Sequence, residues 1–192
     1  IRTQQRRDSG QLTIQGDGAA DLEDLLVQAL TLVGELASPG APVYLCFNDA
    51  KADIVRAAYR AGNIDIRQQL VWVKDRLVPS HTDYQMRHEP ILYGFTAGGE
   101  GRLGRGGERW FGDNTQTSVF EIPRPAASQL HPTMKPVALV EAMLRNSATR
   151  GWEVWDPFAW SGTTLLACHH LGMHARLMEL DPRYVDVTCR RW

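Results

Sequence analysis

The sequence predicts an α/β fold in which a mostly parallel sheet carries helices on both faces, and three observations support this fold class. Segments with apolar residues at helical spacing alternate with short apolar runs of the kind that form buried strands. Turns rich in glycine and proline separate these segments. The chain has 192 residues, of which 43% are hydrophobic, so it is long enough for one sizeable core and a single domain over residues 1–192.

The N-terminal half supplies two predicted helices and three predicted strands. Residues 21–36 carry leucines at helical spacing, and Ser38-Pro39-Gly40 ends this helix. Residues 50–61 form a second helix that ends at Gly62. The predicted strands follow from short apolar or alternating runs at residues 42–47, 66–73 and 91–95. Such an alternation is typical of sheets that bind ligands beyond the carboxyl ends of their strands.

The C-terminal part continues the alternation. Residues 137–146 place Val140, Met143 and Leu144 on one face of a helix, and the run from Trp152 to Trp155 fits a buried strand. A further helix begins near Leu165 and ends at Gly172. Residues 175–181 are the next predicted strand, and Pro182 opens the last helix.

The most informative stretch is a strand end that runs through a turn of small residues into a helix: Asp156-Pro157-Phe158-Ala159-Trp160-Ser161-Gly162-Thr163-Thr164. The N–H groups of the first helical turn face outward at such a corner, and small residues let the backbone approach a ligand. Glu179 ends the next predicted strand, where an acid can accept hydrogen bonds from two ribose hydroxyls. The alternatives are an ordinary packing turn, and an acid that caps Pro182 and the last helix.

Three motifs occur in one order: His131-Pro132-Thr133-Met134-Lys135-Pro136, the turn from Asp156 to Thr164, and Glu179-Leu180-Asp181-Pro182-Arg183-Tyr184. This order resembles the DNA amino-methyltransferases, in their permuted β-type arrangement, and in particular solitary or prophage-borne adenine-N6 methylases. The resemblance implies a Rossmann-like S-adenosylmethionine-dependent methyltransferase fold. It also implies a catalytic half at residues 1–96, a target-recognition segment at residues 97–130 and a cofactor-binding half at residues 131–192.

The function implied by this resemblance is transfer of a methyl group from S-adenosylmethionine to the exocyclic N6 of adenine in double-stranded DNA. The alternatives are an N4-cytosine DNA methyltransferase and a catalytically silent prophage-derived remnant that keeps the fold. The resemblance implies that the cofactor is bound by residues of all three motifs: His131, Thr133, Lys135, Pro136, Asp156, Phe158, Ala159, Trp160, Ser161, Gly162, Thr163, Thr164, Glu179 and Asp181.

Two features depart from the family pattern. The catalytic Asp-Pro-Pro-Tyr motif has no counterpart, because the sequence contains no Pro-Pro dipeptide. We therefore predict no catalytic residue in this chain and expect the catalytic loop upstream of Ile1, which is not an initiator methionine. The second departure is Trp160, which stands where the family turn carries glycine. If the turn needs a positive φ, a tryptophan there costs about 1–2 kcal/mol, and its indole either occupies the methionine channel or points away from it.

The candidate DNA contacts lie in a glycine-rich segment at residues 98–112, within the predicted target-recognition segment. A net charge of −1 does not by itself indicate a nucleic-acid binder. Arginines on a loop can follow phosphates, and an aromatic side chain can contact a base, so we predict that DNA is bound by Arg102, Arg105, Arg109 and Trp110. The alternative is a solvated mobile loop. RNA as the substrate has no specific sign in the sequence.

The remaining polar residues indicate no metal site. Cys168, His169 and His170 are consecutive and diverge around a helix, and no second Cys/His pair completes a ligand set. The three cysteines fit core or helix positions better than a nucleophile or a disulfide framework. The sequence has no transmembrane run and no signal-peptide pattern, so we expect a cytoplasmic protein without a membrane partner. A homodimer is left open.

Overall fold

The computed structural model describes residues 19–79, 83–125 and 134–192. His131 and Thr133, which the sequence assigns to the cofactor site, lie outside these ranges. The described elements, in chain order, are α1 (Ala19–Leu36), β1 (Pro42–Cys46), α2 (Ala52–Ala61), β2 (Ile64–Val78), β3 (Met86–Thr96), β4 (Val119–Glu121), α3 (Val137–Ser147), β5 (Glu153–Asp156), α4 (Thr163–Leu171), β6 (His174–Leu177) and α5 (Pro182–Arg191).

The predicted helices and strands all occur, and the differences lie at their ends. β2 and β3 are longer than predicted because the two strands pair with each other well beyond their apolar segments, as far as Val78 and Met86. β6 is shorter than predicted and ends at Leu177, so Glu179 lies two residues beyond it. β4 was not predicted, since three residues of mostly exposed chain carry too little pattern.

The sequence predicts a mostly parallel sheet, whereas two of the four described strand pairings are parallel and two are antiparallel. β1, β3, β2 and β4 form one sheet in that order, and β3 runs antiparallel to both β1 and β2. β4 runs parallel to β2, and β5 runs parallel to β6 in a separate two-stranded sheet. The cause is the direct β2–β3 connection, because a short link joins neighbouring strands only in the antiparallel sense.

Helices cover both faces of the four-stranded sheet, as predicted. One core cluster packs α1 and α2 against the sheet through residues that include Leu30, Tyr59 and Leu92. The other lies on the opposite face and joins the sheet to α3 through residues that include Trp72, Ile91 and Leu139. α3, which the sequence assigns to the cofactor half, therefore packs against strands from the first half of the chain and also contacts α4.

No helix among the described residues has both the length and the apolar composition needed to cross a bilayer. In the same residues, no group of three or more His, Cys, Asp or Glu side chains is arranged to hold a metal ion.

Candidate functional site

The turn between β5 and α4 is organised by Asp156. One carboxylate oxygen of Asp156 accepts a hydrogen bond from the backbone N–H of Phe158 at 2.9 Å. The other accepts from the hydroxyl of Thr164 at 2.5 Å. Phe158 reaches the core cluster formed by α1, α2 and the sheet. The turn is therefore held at both of its ends, and Phe158 packs it against this core cluster.

The segment after β6 runs alongside this turn. The Met178 N–H donates to the Asp156 carbonyl at 3.0 Å, and the Ala159 N–H donates to the Met178 carbonyl at 2.9 Å. One oxygen of Glu179 accepts from the Trp160 N–H at 2.8 Å, and the other accepts from the Asp181 N–H at 2.9 Å. Each carboxylate oxygen has two lone pairs, so Glu179 keeps acceptor capacity beside the turn.

Trp160 has a left-handed backbone with φ of 50°. Its N–H is bound by Glu179, and its carbonyl accepts from the Thr188 hydroxyl at 3.2 Å. The indole stacks on Tyr184 of α5, with ring centroids 6.2 Å apart and an interplanar angle of 21°. The sequence-based expectation of a strained residue at this position is thus matched by the backbone, and the side chain packs against α5.

Gly162 allows α5 to pack closely on the turn. Its φ is 73°, and a Cβ built on it would lie 2.4 Å from the Thr188 methyl carbon. Arg191, one turn further along α5, donates from the same nitrogen to the Ser161 carbonyl, to the Ser161 hydroxyl at 3.0 Å and to the Thr163 hydroxyl at 3.4 Å. α5 therefore supports three consecutive residues of the predicted cofactor turn.

Asp181 has a structural role in the described chain. Its carboxylate accepts from the Arg183 N–H at 2.9 Å, which caps α5, and also pairs with the Arg183 guanidinium at 2.5 Å. Hydrogen bonds from Arg183 hold the pKa of Asp181 below its ordinary value, although partial burial opposes this. Asp181 thus resembles the helix-capping acid that the sequence offered as the alternative for this region.

Lys135 connects the turn to a partly buried charge cluster that we call the Glu89 cluster, formed by Lys74, Glu89, Lys135 and Trp72. Glu89 binds the Lys74 ammonium at 2.7 Å with one oxygen and the Lys135 ammonium at 2.8 Å with the other. Both ammonium groups also lie over the Trp72 ring, at 5.2 and 5.9 Å from its centroid. The Lys135 carbonyl accepts from the Thr163 hydroxyl at 3.3 Å. Pro136, which follows Lys135, is buried and begins α3.

The electrostatics of the Glu89 cluster favour an ionised carboxylate. Burial alone would raise the pKa of Glu89, but Lys135 and Lys74 outweigh burial and hold this pKa below its ordinary value. Because the folded-state pKa is depressed, the cluster stabilises the fold above the unfolded-state pKa of about 4.3. That stabilisation is lost as the pH falls through the folded-state pKa.

We therefore expect the free energy of unfolding to fall below about pH 4.3, and to fall less steeply in Glu89→Gln, which has no titrating group at this position. Chemical denaturation of both proteins between pH 3 and pH 7, roughly the range in which carboxylates titrate, gives the difference curve. Parallel curves of unfolding free energy against pH for the two proteins would contradict a lowered pKa of Glu89 in the folded state.

Two cysteines, Cys46 and Cys168, have a raised pKa and are therefore neutral thiols near pH 7. Burial is the main cause that raises the pKa of Cys46 to about 11 and that of Cys168 to about 11. A thiol with so high a pKa is a poor nucleophile near neutral pH.

The four predicted DNA contacts separate into two pairs. Arg102 and Arg105 are exposed and, with Gly106 and Asn114, line an open depression of about 350 Å³. Arg109 instead donates to the Pro39 carbonyl at 3.2 Å and lies 5.4 Å from the Trp152 ring centroid. Trp110 is half-buried, and its indole nitrogen has no hydrogen-bond partner among the described residues.

Sequence reasoning missed Glu89, Thr188 and Arg191 as parts of this site. Glu89 lies near other polar residues that a loop before a strand explains equally well, and the sequence does not reveal its pairing with Lys74 of β2 and with Lys135. A usable signal existed in α5, because Tyr184, Thr188 and Arg191 are spaced by four and three residues and therefore share one helical face.

Comparison with solved structures defines the class of fold. The crystal structure of the M1.HpyAVI–SAM complex matches with a TM-score of 0.72 and 21% identity, over 88% of this chain and 82% of that chain. The Thermus thermophilus protein TTHA0409, a putative DNA modification methylase complexed with S-adenosyl-L-methionine, gives a TM-score of 0.67 and 22% identity, over 94% and 81%. PvuII DNA methyltransferase (cytosine-N4-specific) gives a TM-score of 0.74 and 14% identity, over 96% of this chain and 76% of that chain. The chain has the Rossmann-like methyltransferase fold.

The second half of the chain resembles a known family. The family model described as DNA methylase (N6_N4_Mtase) matches residues 104–190. The type II methyltransferase M.HpaI of Haemophilus parainfluenzae is 38% identical over 61 residues, or 32% of this chain. That alignment spans 19% of the length of M.HpaI.

Proposed function

We propose that the turn from Asp156 to Thr164 binds S-adenosylmethionine. The observation that carries this proposal is the position of Glu179, whose carboxylate is fixed beside the turn by the N–H groups of Trp160 and Asp181. Each of its oxygens keeps a lone pair, and a carboxylate so placed suits the two hydroxyls of a ribose. The donor set of the turn therefore fits the nucleoside part of the cofactor, and the family of residues 104–190 supports the same cofactor.

We further propose that the methyl group is transferred to the exocyclic N6 of adenine in double-stranded DNA. Bound S-adenosylmethionine supplies an electrophilic methyl group, and the protein has to hold the amino nitrogen in line with it. In this chain, Asp156 and Glu179 fix the turn that would hold the cofactor, while the exposed arginines of the glycine-rich segment would hold the duplex. The adenine target rests on the sequence resemblance alone, and N4 of cytosine is the alternative.

The product of the reaction tests this proposal. The full-length protein, with the catalytic loop that is expected upstream of Ile1, is incubated with double-stranded DNA and S-adenosylmethionine, and the digested nucleosides are identified by mass spectrometry. We expect N6-methyldeoxyadenosine as the methylated nucleoside. N4-methyldeoxycytidine would move the assignment to cytosine, and no methylated base at all would favour a catalytically silent protein.

A silent protein is the second candidate because of Trp160, whose left-handed backbone costs a non-glycine residue about 1–2 kcal/mol. A domain that kept the fold and DNA affinity without turnover would agree with this observation.

DNA binding is proposed to depend on Arg102 and Arg105. Both side chains are exposed at one depression, whereas Arg109 is held by Pro39 and Trp152. In the double variant Arg102→Ala/Arg105→Ala, we expect weaker DNA binding and a salt dependence of the binding constant whose slope is smaller by about 2, because two phosphate contacts are lost. Fluorescence anisotropy at several salt concentrations measures both quantities.

Arg60→Ala is the matched control, because Arg60 is an exposed arginine on α2 and does not belong to the glycine-rich segment. It should leave the affinity and the slope unchanged. Equal slopes for the double variant and the parent would remove Arg102 and Arg105 from the proposed interface.

A further inference from the structure

The C-terminal end of α5 makes an unusual contact with the candidate cofactor turn. Arg191 reaches back about thirty residues in sequence to donate to the carbonyl and the hydroxyl of Ser161 and to the hydroxyl of Thr163. Ser161 is 2% exposed and Thr163 is 7% exposed, so Arg191 binds the buried side of the turn. Hydrogen bonds from a charged donor are stronger and more directional than those between neutral groups.

Electrostatics alone do not explain this position of Arg191. Among the described residues, no carboxylate lies within ion-pair distance of its guanidinium, in contrast to Arg183, which binds Asp181. Burial lowers the pKa of Arg191 below its ordinary value. The residues it binds lead into the N-terminus of α4, where the helix dipole disfavours a positive charge. The partly buried guanidinium of Arg191 thus lies where a positive charge is electrostatically unfavourable. In this position its hydrogen bonds hold the turn in place.

Thr188 acts on the same turn from the preceding turn of α5. Its hydroxyl donates to the Trp160 carbonyl at 3.2 Å, and its methyl group lies against Gly162. α5 therefore contacts Trp160, Ser161, Gly162 and Thr163 from one face. These are the residues that lead from the Glu179 contact into α4.

We propose that Arg191 is a positioning residue for cofactor binding, which holds the backbone of Ser161 in the conformation that the cofactor requires. This inference rests on the proposed function of the turn. Arg191 acts through the turn and is not itself a ligand of the cofactor. Loss of its side chain should loosen the turn before any ligand is added, and should weaken S-adenosylmethionine binding as a consequence.

Two measurements on each variant test the proposal: hydrogen exchange of the amides from Ala159 to Thr163 without ligand, and calorimetric titration with S-adenosylmethionine. In Arg191→Met, loss of a charge-assisted hydrogen bond should accelerate exchange and weaken binding by about tenfold each. Arg191→Lys should restore part of both losses, because it keeps a charged donor at a shorter reach. Arg190→Met, the exposed neighbour on the same helix, should match the parent in both measurements.

The outcomes separate the proposal from the function on which it rests. Parent-like exchange and affinity in Arg191→Met would overturn it, and so would weaker binding without faster exchange, which would indicate direct ligand contact. If the parent chain bound no S-adenosylmethionine, the proposed function and the positioning role would both fail, even with faster exchange in the variant. Should Arg191→Met not fold, Thr188→Val tests the same support from α5, and parent-like behaviour of that variant would overturn the proposal.

Discussion

Glu89→Ala is expected to lower the free energy of unfolding by about 3–5 kcal/mol, because it leaves two partly buried ammonium groups without their shared counter-ion. The Lys74 side chain is 8% exposed and the Lys135 side chain is 30% exposed, so water replaces the lost carboxylate only in part. Chemical denaturation at neutral pH measures the change. Because the Lys135 carbonyl accepts from Thr163, the variant should also bind S-adenosylmethionine more weakly.

The control for this prediction is an exposed ion pair. Glu153 binds Arg176 at 2.6 Å across β5 and β6, but their side chains are 54% and 65% exposed. Glu153→Ala should therefore cost no more than about 1 kcal/mol. If Glu89→Ala cost no more than Glu153→Ala, the Glu89 cluster would have no special role in joining β2 and β3 to the turn from Asp156 to Thr164.

Gly162→Ala is expected to destabilise the fold by about 2–4 kcal/mol, because a left-handed backbone and a steric contact act together. The residue has φ of 73°, and the new Cβ would lie 2.4 Å from the Thr188 methyl carbon. Either α5 or the turn has to move to relieve that contact. We therefore also expect loss of S-adenosylmethionine binding, which calorimetry measures alongside thermal denaturation.

Gly151→Ala separates the two contributions. Gly151 has φ of 84°, but a Cβ built on it meets no atom within 4 Å, so only the backbone cost of about 1 kcal/mol applies. Adding Thr188→Ala to Gly162→Ala should then recover the steric part of the loss. Equal destabilisation by Gly162→Ala and Gly151→Ala would mean that α5 does not pack on the turn as described.

The order of helices and strands was predictable because each element carries a local pattern. Apolar residues at helical spacing gave α1, and Gly172 marked the end of α4, since both signals need only neighbouring residues. The strand directions were not predictable in this way. The alternation of elements favoured parallel pairing, whereas β2 and β3 follow each other through a short connection and pair antiparallel. β4 depends entirely on its pairing with β2.

The candidate site was predictable where its residues are consecutive, and not where they meet through folding. The turn, Glu179 and the unusual Trp160 could all be identified from sequence. The stacking of Trp160 on Tyr184 and the support from Arg191 depend on how α5 returns to the turn. Glu89 depends on three separate segments. His131 and Thr133 lie outside the described residues, so their assignment to the cofactor site stays a prediction.

Trp160 is the residue at which local rules and the proposed function disagree most. Its backbone conformation favours glycine, yet its N–H, its carbonyl and its ring each have a partner, in Glu179, Thr188 and Tyr184. A strained residue persists when its surroundings determine it in this way. Since the indole packs on α5, we expect that the tryptophan is accommodated and does not block the cofactor.

The most direct test of the proposed site is calorimetric titration of S-adenosylmethionine into the chain and into Trp160→Gly. We expect both proteins to bind with dissociation constants within about tenfold of each other, a difference of about 1.4 kcal/mol, because glycine keeps the N–H that Glu179 accepts. Binding only by Trp160→Gly would show that the indole disables the site. Binding by neither protein would contradict the assignment of the turn to the cofactor.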